Sequence, residues 1–159
     1  MRRVLKGRRT YIDTNIFIYI AIKHPEFFEK CYEALKYLVK GEYEGYGSEH
    51  ILFELFGAMS RINAVAAYEA LIYYLELPIK LLNLKRSTLL IAKEIAKESG
   101  TTYDAIHAAI MMENHINTII TEDLKDWLKI KNAWNHVAEK MRLEHLGELL
   151  IISPTHGAF

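Results

Sequence analysis

The sequence predicts an α/β fold in which a central, mostly parallel sheet is covered by helices on both faces. Short apolar runs at residues 9–12, 44–48, 118–121 and 149–152 alternate with segments whose apolar residues recur at helical spacing. Such alternation is the pattern of a buried parallel sheet. The three prolines, Pro25, Pro78 and Pro154, fall between periodic segments, and no repeat or linker composition interrupts the chain. At 159 residues, with 51% hydrophobic and 25% charged side chains, the chain suits one domain, 1–159, that buries roughly two thirds of its unfolded surface.

Residues 1–8 form a basic arm, with Arg2, Arg3, Lys6 and Arg8, and read as a solvated terminus. Together with the apolar run at 16–22 the arm superficially resembles a signal peptide. Asp13, Thr14 and Asn15 interrupt it, however, and no small-residue cleavage site follows. Residues 9–12 read as a short buried strand and 16–22 as a helix entered through polar residues. Pro25 suits the first turn of a helix to about residue 40, in which Phe28, Cys31, Leu35, Leu38 and Val39 recur at helical spacing. Residues 44–48 form a second strand. Helices follow at 50–61 and 64–75, broken near Ile62 and Asn63, and residues 78–84 are extended. The amphipathic segment 87–99 stops at Gly100, and Thr101 or Thr102 caps the next helix, to about His115. Residues 118–121 and 149–152 complete a sheet of about five strands, and 124–146 is helical.

The single cysteine, Cys31, excludes a disulfide framework and a Cys-rich zinc ribbon, and it points to a reducing, cytoplasmic compartment. No apolar stretch approaches the ~20 residues of a membrane span, so the protein is expected to be soluble, with no membrane partner. Twenty basic residues balance 20 acidic ones, which predicts no strong long-range attraction to nucleic acid.

Of the acids, 16 are Glu and four are Asp: Asp13, Asp104, Asp123 and Asp126. Glu is the better helix former, so each Asp asks for a local reason. Asp13 follows the first strand, Asp123 follows the strand ending at Thr121, and Asp104 lies in the first turn of a helix. Glu54 lies about one and a half turns beyond Ser48. Ligands gather at the carboxyl ends of parallel strands, so these acids can converge in one cleft, where repulsion calls for a cation. Carboxylates without Cys or His partners suit a hard ion, Mg2+ or Mn2+, and the natural chemistry is phosphodiester hydrolysis by metal-activated water. Local roles stand beside this reading. Asp13 or Asn15 could cap the helix at 16, Asp104 could complement a helix dipole, Asp123 and Asp126 could form a cap pair, and Glu54 could be a solvated acid. His107 reads as a packed or rim histidine, Trp127 as core, and Glu49, His50 and Glu122 as solvated.

The segments Tyr11-Ile12-Asp13-Thr14-Asn15-Ile16, Ser48 with Glu54-Leu55, Tyr103-Asp104-Ala105-Ile106-His107-Ala108-Ala109 and Ile119-Ile120-Thr121-Glu122-Asp123 stand in the order of four motifs. Their acids are spaced by 41, 50 and 19 residues. In this the chain resembles the PIN-domain ribonucleases, and within them the VapC-type toxins, over roughly residues 9–127 with 149–154 as a closing strand. The resemblance implies a PIN-like three-layer fold around a five-stranded parallel sheet. It also implies Mg2+- or Mn2+-dependent endonucleolytic cleavage of single-stranded RNA, or structured RNA, by a homodimer. A small antitoxin protein is a further implied partner. Asp13, Glu54, Asp104 and Asp123 become the catalytic metal ligands, with Asn15 and Thr121 orienting them and Asp126 as an outer acid.

Residues 128–148, with Trp134, His136, Met141 and His145, depart from the family as a longer helical segment that could reshape the RNA groove or a dimer surface. The neutral total charge is a second departure. It leaves Arg2, Arg3, Arg8, Arg9, Lys85 and Arg86 as the candidate phosphate contacts. The competing reading is a non-catalytic PIN-like module that binds RNA or protein. An acidic phosphotransferase would want an Asp-x-Asp pair where Asp13-Thr14-Asn15 has Asn.

Overall fold

The N-terminus is anchored by Leu5, which is fully buried at the end of a single helical turn, α1 (Arg2–Leu5). Arg2 forms an ion pair with Glu42, so the basic arm expected to be solvated is instead docked. A computed structural model describes residues 1–159. After α1 come β1 (Arg9–Ile12), α2 (Thr14–Ala21), α3 (Phe28–Val39), β2 (Glu44–Ser48), α4 (Glu49–Ser60), α5 (Ala64–Glu76) and β3 (Ile79–Leu82). The chain continues through α6 (Arg86–Ser99), α7 (Tyr103–Glu113), β4 (Thr118–Ile120), α8 (Leu124–Lys140), β5 (Leu150–Ser153) and β6 (Gly157–Ala158).

The sheet order is β3-β2-β1-β4-β5-β6, with the first five strands parallel and β6 antiparallel to β5. Tyr11 of β1 stands opposite Tyr46 of β2 on one side and Ile119 of β4 on the other. From β1 the chain builds outward to β3, then returns to place β4 on the other side of β1. The gap between β1 and β4 is therefore the topological switch point, where a crevice opens at the strand ends. Helices α2 to α5 pack among themselves, as do α6 to α8, one group on each face, as right-handed crossovers in opposite directions require.

One core runs through the sheet, with Trp127, Trp134, Tyr11, Ile12, Ile16 and Leu35 among its largest fully buried side chains. Three larger features depart from expectation. Helix α3 starts at Phe28, because residues 25–27 form a turn in which the Glu26 N–H is taken by His24 Nδ1 at 3.3 Å. The segment at 124–146 splits: α8 ends at Lys140, Arg142 adopts a positive φ of 60°, and a 3-10 turn, Glu144–Leu146, follows. A sixth strand, β6, adds to the expected five. Within the longer segment, Trp134, Val137 and Ala138 are buried, and Trp134 Nε1 donates to Gly147 O at 3.0 Å.

Candidate metal centre

Asp13 leaves β1 and caps α2, its Oδ1 accepting the Thr14 backbone N–H at 2.7 Å. Its Oδ2 accepts from Asn15 Nδ2 (2.7 Å), Thr121 Oγ1 (2.6 Å) and Trp127 Nε1 (3.1 Å). Asn15 also donates to Thr121 Oγ1 at 2.9 Å, so side chains lock the two strand ends across the switch point. Four donors hold this buried carboxylate in one orientation. Burial pushes its pKa up, against the lowering effect of His107 and the Thr121 hydroxyl.

Thr121 Oγ1 further accepts the Asp123 N–H at 3.0 Å, and Asp123 caps α8 by accepting the Asp126 N–H at 3.2 Å. Asp104 stands in the first turn of α7. Ligand oxygens of Asp104, Asp123 and Asp126 lie within 4.8 Å of one another. The capping roles and the shared cluster are thus compatible: α2, α7 and α8 begin at the same end of the sheet, so acids placed at their starts converge. Burial, together with the charges of Asp13, Asp123 and Asp126, pushes Asp104 up to about 7, although His107 opposes it. Lys129, 2.5 Å from Asp126, is the cation paired with this trio. An oxygen-only donor set short of positive charge fits a hard divalent ion.

Glu54, on the second turn of α4, lines the same cleft as Asp13 and Asp104 but has different partners. It accepts hydrogen bonds from the Thr14 hydroxyl and from His107 Nε2 (2.8 Å), while His50 Nε2 lies 3.4 Å away. Burial raises its pKa, but the hydrogen bonds from His107 and Thr14 and the nearby His50 ring outweigh that and hold it well below the usual carboxylate range. On His107, burial favours the neutral form, yet the Glu54 hydrogen bond and the charges of Asp13, Glu54 and Asp104 raise its pKa overall. His107 Nδ1 lies 2.8 Å from the Tyr11 hydroxyl, which lies 2.7 Å from Ser48 Oγ. The structure therefore brings Asp104, Asp123 and Asp126 together, holds Asp13 beside them, and turns Glu54 toward two histidines.

The basic candidates lie away from the acid cluster. Arg8 Nε donates to Val4 O, and Arg9 donates to the carbonyls of Asn114 and His115 just past the end of α7. Lys85 and Arg86 start α6, beside Glu113 at the end of α7, about 15 Å of helix from Asp104. The cation that lines the carboxylate cleft is Arg61, with the exposed aromatics Phe53 and Tyr103 beside it.

Sequence reasoning missed Arg61, the Thr14 and Trp127 donors, and the engagement of His50 and Glu122. His50 precedes Glu54 by four residues and so shares its helix face, a legible signal. Trp127 follows Asp123 by one helical turn, but its reach to Asp13 is tertiary. Glu122 is not solvated: it accepts from Ser153 Oγ (2.5 Å) and the Thr155 N–H (2.9 Å), where β5 turns into β6.

The PIN domain family model matches residues 10–132. No curated protein matches the sequence. Among solved structures, VapBC2 from Rickettsia felis bound to a DNA fragment from its promoter aligns with a TM-score of 0.61 and 21% identity, covering 78% of this chain and 94% of that one. VapC20 of Mycobacterium tuberculosis, a sarcin-ricin loop cleaving toxin, aligns with a TM-score of 0.63 and 14% identity, covering 75% and 93%. A toxin-antitoxin complex from Klebsiella pneumoniae gives 0.55 and 18%, covering 74% and 89%. At these identities the likeness is one of fold.

Proposed function

Because this chain belongs to the PIN domain family, we propose that it is an endoribonuclease that uses Mg2+ or Mn2+ to hydrolyse single-stranded RNA. The observation that carries this reading is the convergence of Asp104, Asp123 and Asp126 within 4.8 Å, next to the fully hydrogen-bonded Asp13 at the switch point. Asp104 and Asp123 would hold the ion, with Asp13 and Asp126 flanking and Glu54 at the opposite wall. When bound, the ion supplies water activation and neutralises charge developing on the phosphate.

The chain's own groups do the positioning. Asn15, Thr121 and Trp127 occupy Oδ2 of Asp13 and fix its orientation, while Oδ1 accepts only the Thr14 N–H and keeps a lone pair for a ligand. Thr121 also holds the Asp123 backbone, coupling the two acids through one hydroxyl. Phe53 and Tyr103 expose ring faces at the cleft, where unpaired bases can stack, and Arg61 can take a backbone phosphate. Stacking requires splayed bases, which favours a single strand over a duplex. The toxin-antitoxin complexes among the structural relatives support a role as the toxin of such a pair, held by a small antitoxin protein; a homodimer is what the family resemblance implies.

The test is cleavage of a fluorescently labelled single-stranded RNA in Mn2+. Asp104→Asn and Asp123→Asn should each lose about 100-fold or more in rate, the scale on which removal of a charge-stabilising group acts. Either variant cleaving at the parental rate would sink this reading in favour of a module that only binds.

A further inference from the structure

We propose that His50, Glu54 and His107 form a second metal site, separate from the carboxylate cluster and selective for a borderline-soft divalent ion such as Zn2+ or Co2+. His50 and Glu54 occupy one face of α4 at a spacing of four residues, and His107 reaches them from α7. Their three ligand atoms lie within 4.8 Å of one another, and the two imidazole rings are 4.8 Å apart at their centroids. An ion shared by the three would sit at Zn–N distances of about 2.0–2.1 Å.

Two observations point to a ligand rather than to a packed polar cluster. His50 Nε2 is shielded from solvent and has no hydrogen-bond partner, although it lies 3.4 Å from Glu54 Oε1. A buried nitrogen left in this state is one that a metal would satisfy. His107, for its part, already has the outer partner that metal-binding histidines have: its Nδ1 is held by the Tyr11 hydroxyl at 2.8 Å, itself anchored on Ser48 at 2.7 Å, and its Nε2 faces the site. Two nitrogens and one carboxylate select zinc over magnesium. Three protein ligands leave a fourth position open, and it faces the cleft lined by Asp13, Thr14 and Asp104, the layout of a reactive rather than a purely structural zinc site. Binding would displace the proton shared between His107 and Glu54.

The experiment is titration of the full, EDTA-treated chain with Co2+ alone, read in the visible spectrum, and with Zn2+ alone, read by calorimetry. The parent should bind one Co2+ with the intense absorption of a four-coordinate site. His50→Gln should lose that absorption and bind Zn2+ at least about tenfold more weakly, with its far-ultraviolet dichroism unchanged. His50→Ala should behave alike, so the result does not hang on one substitution. Asp123→Asn should keep the intense four-coordinate Co2+ absorption. A parent spectrum of weak, six-coordinate type overturns the proposal, as does a His50→Gln protein that binds like the parent. Loss of binding in Asp123→Asn with retention in His50→Gln also overturns it, by assigning the ion to the acid cluster. None of these readouts depends on RNA cleavage, so the proposal stands or falls apart from the nuclease reading.

Discussion

At the level of single residues, the four aspartates lie close together but do not share an environment. Repulsion alone, the argument available from sequence, implies that neutralising any one of them leaves stability near or above the parent. The hydrogen bonds separate the cases. Asn at position 13 would turn an NH2 group either toward Asn15 and Trp127, which are themselves donors, or toward the Thr14 N–H. An unmade buried hydrogen bond costs about 1–3 kcal/mol. Asp104 accepts none, and its burial beside Asp13 already disfavours its charge. In metal-free buffer near neutral pH, Asp104→Asn should therefore melt above the parent and Asp13→Asn below it. Differential scanning calorimetry decides the order, and equal shifts of one sign would show that hydrogen bonding does not distinguish the two acids. The four acids, Asn15 and Thr121 were legible because motif order and strand ends are written in the sequence. The turning of Glu54 toward His50 and His107 was not, since it depends on how α4 and α7 pack.

At the level of elements, the strands and helices follow their periodicities, and the departures occur where one side chain decides. Strand β2 is Glu44-Gly45-Tyr46-Gly47-Ser48, a poor strand by propensity, yet it pairs with both β1 and β3. Its glycines admit close approach of the helices above it. A Cβ at Gly47 would overlap the Tyr74 hydroxyl of α5, and one at Gly45 would press on Leu38 of α3. Neither glycine has a positive φ, so the demand is space rather than backbone conformation. Gly47→Ala should cost about 1–3 kcal/mol as overpacking, readable as a lower guanidinium midpoint, and Tyr74→Phe in the same chain should restore part of it. No recovery would place the strain elsewhere. Likewise, the docking of α1 could not be read from a run of arginines, because it rests on Leu5 and on the distant Glu42.

At the level of the whole molecule, the balance of 20 charges against 20 conceals a separation: acids gather where β1 and β4 finish, while Arg8 and Arg9 stand where β1 begins and Lys85 and Arg86 lie beside Glu113 at the far end of α7. No helix is long and apolar enough to cross a membrane. Burial of titrating groups in the single core sets the alkaline limit. Burial pushes the Cys31 thiol up to about 12 and the Tyr43 phenol above its usual range. In that window the unfolded chain has lost protons that the native chain keeps, so ionisation favours unfolding. Stability should hold below about pH 9 and fall progressively toward about pH 12, measured as the denaturant midpoint against pH. A flat profile would mean that these groups do not titrate differently on unfolding. The lock across the switch point also has a temporal side. Asp13 is held by Thr121 and Trp127, 108 and 114 residues further along the chain. Contacts that close so long a loop form late in folding and, on the ribosome, only after most of the polypeptide has emerged. A nascent chain thus carries its first acid early but cannot lock it in place until synthesis is nearly complete.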